Sequence, residues 1–241
     1  MSDAAGLPAA QLLDFSANIN PLGPPEWLRS LISAHVGDLA HYPDPDCTEL
    51  VEALARENNL AKEQILVGNG ATELLHLLPR ALEVSRALIP VPSYADYEDA
   101  ALLAGLEVQH LALDETNQFV LDFSALAALL KPAQLVLLGQ PNNPTGRTLD
   151  PDRLRQLAEE FPQTFFVVDE SFIAFADDSR TLRSDRPVNV IIVESLTKAF
   201  AIPGLRLGYL IADAGIVAKV RRLLPNWTVN TLAQYIAERM G

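Results

Sequence analysis

A single cysteine, Cys47, stands among 241 residues, which excludes an intramolecular disulfide and any multi-cysteine metal site, and it reads as a small residue on a helix face. Histidine is also scarce. His35, His41, His76 and His110 fall at no metal-ligand spacing and read as structural, with only His41 placed to approach a site. Positive charge is outnumbered, 18 Lys and Arg against 31 Asp and Glu for a net charge of -13, which argues against nucleic acid and anionic membranes as partners. No stretch approaches the roughly 18 consecutive apolar residues of a membrane span. The opening "MSDAAGLPAAQLLDF" has neither the basic nor the apolar region of a signal peptide. Small molecules are therefore the expected partners and the cytoplasm the expected location. With 49% hydrophobic and 20% charged residues and no repeat or low-complexity tract, the chain is ordinary for a globular protein long enough to bury a core unaided.

After a Pro-, Gly- and Asn-rich segment, "SANINPLGPP", helical patterns begin at Pro25 and again after Asp46. Short apolar strands are expected at 65–68, 87–91, 108–113, 134–139, 164–169, 190–195 and 207–212, with helices over 71–82, 94–105, 122–131 and 150–161. Asp150 before Pro151 is a good helix start. Apolar strands alternating with amphipathic helices predict a three-layer α/β/α fold on a mostly parallel sheet. Ligands of such sheets bind beyond the C-terminal strand ends, where the unusual residues of this sequence collect.

Lys198, in "ESLTKAFAIPGLRLGYLIA", lies between a strand and an apolar run. Burying an ammonium costs its hydration, so two readings stand, a snorkelling side chain or a nucleophile. Ser195 three residues before it and Arg206 eight after it could converge with it on an anion. Gly68-Asn69-Gly70-Ala71-Thr72 sits between strand and helix, where free N–H groups favour a phosphate, although a ligand-free turn is the more common use of such a loop. It has no third glycine of a dinucleotide fingerprint and is not a P-loop. Asp169, closing "TFFVVD", is either a cap or a carboxylate that holds a charged ring nitrogen. Asn143 in "QPNNPTG" is either a turn residue or an amide donor. An amine, a phosphate cradle, a ring-nitrogen carboxylate and an amide donor together are what pyridoxal phosphate requires.

In "NNPTG", "VVDES" and "SLTKAFAIPGLRLG", in that order, the sequence resembles fold-type I pyridoxal-phosphate enzymes of the aspartate aminotransferase superfamily over nearly its whole length. The resemblance implies Lys198 as the Schiff-base lysine, Asp169 on the pyridine nitrogen, Asn143 on the 3-oxygen and Tyr94 stacked on the ring. It implies Gly70, Ala71, Thr72, Ser195 and Arg206 around the phosphate. Tyr42 would reach the phosphate of a neighbouring subunit, hence a homodimer with shared active sites. Within the superfamily, "LDFSANINPLGPP", "AIPGLRLGYL" and Phe172 in "DESF" are similar to threonine-phosphate decarboxylases of cobalamin biosynthesis, with Asn18 and Asn143 at the substrate. The implied reaction is loss of carbon dioxide from O-phospho-L-threonine, with Lys198 returning a proton to Cα to give aminopropanol phosphate. Histidinol-phosphate aminotransferases are the alternative.

The expected organisation is an N-terminal segment, 1–25, and a cofactor-binding large domain, 26–241. The C-terminal small domain of the family, which brings substrate-gripping arginines, is expected to be missing after "NTLAQYIAERMG", as is the "HGG" stretch before "LDFSANINP". A truncated, noncatalytic protein that keeps the fold is the third reading.

Overall fold

A computed structural model of the chain describes Gly6 and residues 17–177 and 180–239. In chain order these form α1 (Trp27–His35), α2 (Thr48–Asn58), β1 (Ile65–Gly68), α3 (Ala71–Ala81), β2 (Arg86–Val91), α4 (Asp96–Leu103), β3 (Glu107–Ala112) and α5 (Phe123–Leu129). There follow β4 (Gln134–Gly139), α6 (Pro151–Glu160), β5 (Thr164–Asp169), β6 (Val190–Ser195), α7 (Leu196–Ala199), β7 (Gly208–Ile211), α8 (Ala214–Arg221) and α9 (Thr231–Gln234).

Alternation along the strands sets the layers. Successive residues of a strand point to opposite faces, and those of β4, β5 and β6 divide between two cores. Val136, Val168 and Ile192 join one with α2, α5 and α6, while Leu137, Val167 and Ile191 join the other with α3, α4 and α8. Strands that are apolar on both sides need cover on both, and the helices supply it. The sheet order is β1-β7-β6-β5-β4-β2-β3. Only β7 runs against its neighbours, β1 and β6; the remaining pairs are parallel. The expected three-layer, mostly parallel architecture is therefore what forms.

This direction of β7 matters for the site. Its first residue, Gly208, pairs with both Gly68 and Ser195, so Arg206, two residues earlier, lies at the edge where β1 and β6 end. A methyl group on Gly208 would come within 2.4 Å of the Ala71 backbone nitrogen. Only a glycine lets the start of α3 sit this close to the sheet.

Two local expectations are corrected. Pro25 precedes α1 rather than opening it, its carbonyl accepting from Leu28 N–H at 3.0 Å as the chain turns in. Cys47, expected on a helix face, is instead the buried residue ahead of α2, with a left-handed φ of 51°; the α2 entry is held by Asp44, whose carboxylate accepts from Thr48 N–H at 2.7 Å. Asp150 caps α6 as expected, accepting from Asp152 N–H. Among the described residues no helix is long and apolar enough to cross a membrane, and no three His, Cys, Asp or Glu side chains group as metal ligands.

Candidate active site

Asp169 ends β5 with 8% of its surface exposed. A carboxylate so placed needs partners, and three hydrogen bonds supply them. Ser171 donates its N–H and its Oγ to Oδ1 at 2.9 and 2.5 Å, and Tyr97 donates its hydroxyl to Oδ2 at 3.0 Å. Burial pushes the Asp169 carboxyl above the ordinary range, while Ser171, Tyr97 and the Lys198 ammonium draw it back. The result is an oriented acceptor that gains most from one more positive group.

A cavity opens beside it, with about 560 Å³ of atom-free space including its open mouth. Lys198 lines it from α7, half-buried, together with Ser195, Thr197 and Arg206. Ser195 and Thr197 share a 2.7 Å hydrogen bond between hydroxyls. Ala71 and Thr72 close another wall from the start of α3, where the N-cap residue, Gly70, has no side chain to cap the first turn and the N–H groups favour an anion. Gly70, at φ +84°, leaves the room that Arg206 occupies: a methyl there would stand 2.5 Å from Nη2. The 68–72 loop is braced by Glu73, which accepts from Asn69 N–H at 2.7 Å.

The two adjacent asparagines divide the roles that the sequence left open. Asn142 makes the turn, its side chain donating to Pro92 O at 3.0 Å and to Thr145 Oγ1 at 2.9 Å, with Gly146 N–H returning to its carbonyl at 2.7 Å. Asn143 lines the cavity. Tyr94 lines it too, meeting Tyr97 edge-on at 5.6 Å and donating to Asp96 Oδ2 at 2.7 Å; burial lifts its hydroxyl to a pKa of about 12. Phe172 adds an apolar wall.

Of the expected site residues, the structure thus brings together Ala71, Thr72, Tyr94, Asn143, Asp169, Ser195, Lys198 and Arg206, with Gly70 behind Arg206. Tyr42 stays outside, 81% exposed and packed on Trp227 with ring centroids 4.9 Å apart. His41 and Asn18 are exposed and do not line the cavity. Nearby Asn20, however, ties its segment to the lysine loop, bonding Lys198 O through its N–H and Ala199 O through its side chain. Sequence reasoning missed Tyr97, Ser171 and Thr197. Tyr97 sits three residues after Tyr94, its N–H closing a turn on the Tyr94 carbonyl at 3.2 Å, and Ser171 lies two after Asp169 in the position that bonds back to an aspartate.

The chain is 42% identical, over 99% of its length and 28% of the other's, to the adenosylcobalamin biosynthesis bifunctional protein CobDQ of Leptospira interrogans serovar Lai. It is 36% identical to the threonine-phosphate decarboxylase of Salmonella typhimurium, over 97% of this chain and 65% of that one. The crystal structure of histidinol-phosphate aminotransferase from Clostridium acetobutylicum superposes with a TM-score of 0.85 at 33% identity, covering 94% of this chain and 68% of that one. The chain thus spans less than two thirds of the length of these curated relatives. The sequence model of the family described as aminotransferase class I and II matches residues 10–240, and the chain belongs to that family.

Proposed function

We propose that the chain is the cofactor-binding part of a pyridoxal-phosphate enzyme that decarboxylates O-phospho-L-threonine to aminopropanol phosphate. The observation that carries this reading is the shared cavity of Asp169 and Lys198, a buried carboxylate and an amine, with the uncapped start of α3 and Arg206 on the same wall system. The chemistry of this donor set fits the cofactor: the cradle at Gly70 suits a phosphate, and the oriented Asp169 suits a protonated ring nitrogen.

Lys198 is assigned to hold the cofactor covalently, and Ser195, Thr72, the Gly70-Ala71 backbone and Arg206 to bind its phosphate. Asn143 would donate to the ring oxygen and Tyr94 would cover the ring face. Bound pyridoxal phosphate supplies a sink for the electron pair of the bond broken at Cα. The protein's own work is orientation and proton placement. Asp169, poorly screened, keeps a positive charge on the ring nitrogen favourable. Released from the cofactor when the substrate amine takes its place, Lys198 Nζ would be the group that carries a proton to Cα. Phe172 offers a ring without a hydroxyl, and the two phenols that line the cavity are engaged elsewhere, Tyr94 on Asp96 and Tyr97 on Asp169.

Two relatives named for cobalamin biosynthesis or threonine-phosphate decarboxylation support the substrate, at 42% and 36% identity. The similarity to a solved histidinol-phosphate aminotransferase favours the second reading, amino transfer to a phosphorylated ketone. Residues 26–241 are assigned to one cofactor-binding unit, preceded by the segment 1–25 that carries Asn18 toward the substrate. Tyr42, exposed here, is assigned to the site of a second copy in a homodimer. The test is to supply carboxyl-labelled O-phospho-L-threonine and, separately, L-glutamate with imidazole-acetol phosphate. Labelled carbon dioxide from the first and no glutamate turnover supports the decarboxylase; the reverse establishes the aminotransferase.

A further inference from the structure

Two strands carry residues to the cavity and a third, β7, runs beneath its Ala71 wall, and each sends the adjacent residue to the opposite face. Asp169 on β5 is followed by Glu170, Ser195 on β6 is preceded by Glu194, and Gly208 on β7, beneath Ala71, is followed by Tyr209. Because side chains alternate along a strand, Glu170, Glu194 and Tyr209 meet behind the site. They are buried, with 0%, 8% and 2% of their surface exposed.

One cation joins them. Arg183, from the loop between β5 and β6, donates Nε to Glu170 Oε2 at 3.0 Å and places Nη2 against Glu194 Oε2. Glu194 Oε2 also accepts the Tyr209 hydroxyl at 2.5 Å. The remaining Glu170 valences are filled from the same loop, by Thr181 Oγ1 at 2.6 Å and Leu182 N–H at 3.1 Å. Burial raises the Glu194 carboxyl, and Arg183 draws it back.

Two buried carboxylates on one guanidinium are a poor way to gain stability alone, since an apolar cluster of equal volume does as well or better. Their position suggests another use. The backbone around Glu170 already crosses to β6, its N–H bonding Val193 O at 2.7 Å, so a bridge between the adjacent side chains sets how far the end of β5 stands from the end of β6. That separation is the one between Asp169 and the Ser195–Lys198 turn.

We propose that Arg183 is a positioning residue: by clamping Glu170 to Glu194 and Tyr209 on the far face of the sheet, it fixes the spacing between Asp169 and the lysine-bearing turn. The proposal rests on the pyridoxal-phosphate reading of the site. Arg183 touches nothing in the cavity, so its effect is transmitted through the three strand ends.

The experiment measures pyridoxal phosphate affinity and the pH midpoint of the visible band of the Lys198 adduct in four chains. These are the parent, Arg183→Lys, Arg183→Met combined with Glu170→Gln and Glu194→Gln, and Val220→Ala on α8. The triple substitution removes the buried charges together with the clamp, so that no uncompensated charge is left behind in the core; Val220, fully buried in the opposite core, controls for lost stability alone. Expected are a roughly tenfold or greater loss of affinity and a moved midpoint in the triple variant, the scale of one lost charge-assisted hydrogen bond. Arg183→Lys, which can reach one carboxylate at a time, recovers part of both. Val220→Ala keeps the parental midpoint. Parental affinity and midpoint in the triple variant or in Arg183→Lys overturn the clamp while leaving the function standing. A parent chain that forms no adduct overturns both, because there is then no site to position.

Discussion

Replacing Asp169 with asparagine separates what the carboxylate does for the fold from what it does for the cofactor. The amide keeps the size of the side chain and can still meet its neighbours: its oxygen accepts from Ser171, and its NH2 can donate to the Tyr97 hydroxyl, which now stands 3.0 Å from Oδ2. The fold should therefore persist. Burial holds the Asp169 carboxyl above its ordinary value, so in the empty chain its ionisation is disfavoured by folding. As pH rises from the unfolded value near 3.8 through the raised folded one, the empty parent loses stability that the asparagine variant retains. With pyridoxal phosphate bound, the order reverses. A charged ring nitrogen loses its buried counter-ion, at a cost of about 3 kcal/mol, or roughly a hundredfold in affinity. At a cofactor concentration about 100 times the parental dissociation constant, the parent gains about 2.7 kcal/mol and the variant about 0.4 kcal/mol. For a chain of this size these correspond to rises in melting temperature of about 5–11 °C and about 1–2 °C. Thermal melts with and without cofactor, from pH 4 to pH 8, read both effects. A variant with the full cofactor-induced rise refutes the assignment of Asp169 to the ring nitrogen.

The donors that orient Asp169 should act in proportion. Tyr97→Phe and Ser171→Ala each remove a hydroxyl from it, and each should weaken cofactor binding about three- to tenfold, measured by equilibrium titration; unchanged affinity in both would show that the orientation is immaterial. Gly70→Ala puts a methyl 2.5 Å from Arg206 Nη2 at a φ of +84°, so it should destabilise the chain by about 1–2 kcal/mol and push the guanidinium out of the phosphate cradle. Inorganic phosphate should then protect the parent, but not this variant, against thermal unfolding, and equal protection of both would exclude the cradle.

Much of this was legible in the sequence where an apolar run stops against a residue that cannot continue it. β1, β4, β5 and β6 end where "ILVG", "QLVLLG", "TFFVVD" and "VIIVES" end, because Gly, Asp and Ser mark the edge of the buried sheet. The strand at 207–212 came out shorter, as Gly208–Ile211, since Arg206 and Leu207 serve the turn that delivers the guanidinium. Helix α4 begins at Asp96 rather than at 94, Tyr94 being taken by the cavity wall. Lys198, Asp169 and Arg206 could be singled out because each is a charge beside apolar neighbours. Whether Asn143 serves a turn or faces a ligand could not be read from "QPNNPTG", since asparagine suits both, and only the bond from its neighbour Asn142 to Pro92 O shows which residue makes the turn. The Arg183 cluster was equally hidden. Its carboxylates are one residue away from more conspicuous neighbours, and their partner arrives from a loop whose path no periodicity encodes.

The central claim is that one lysine of this chain holds pyridoxal phosphate against Asp169. Its most direct test is the visible spectrum of the purified chain mixed with the cofactor, before and after borohydride, with the reduced adduct located by peptide mapping and Lys198→Ala run beside it. Expected are a visible band that disappears on reduction, a stable adduct on Lys198, and an alanine variant that melts like the empty parent and carries no adduct. A reducible adduct that persists in Lys198→Ala, or a parent with no band at saturating cofactor, contradicts the claim.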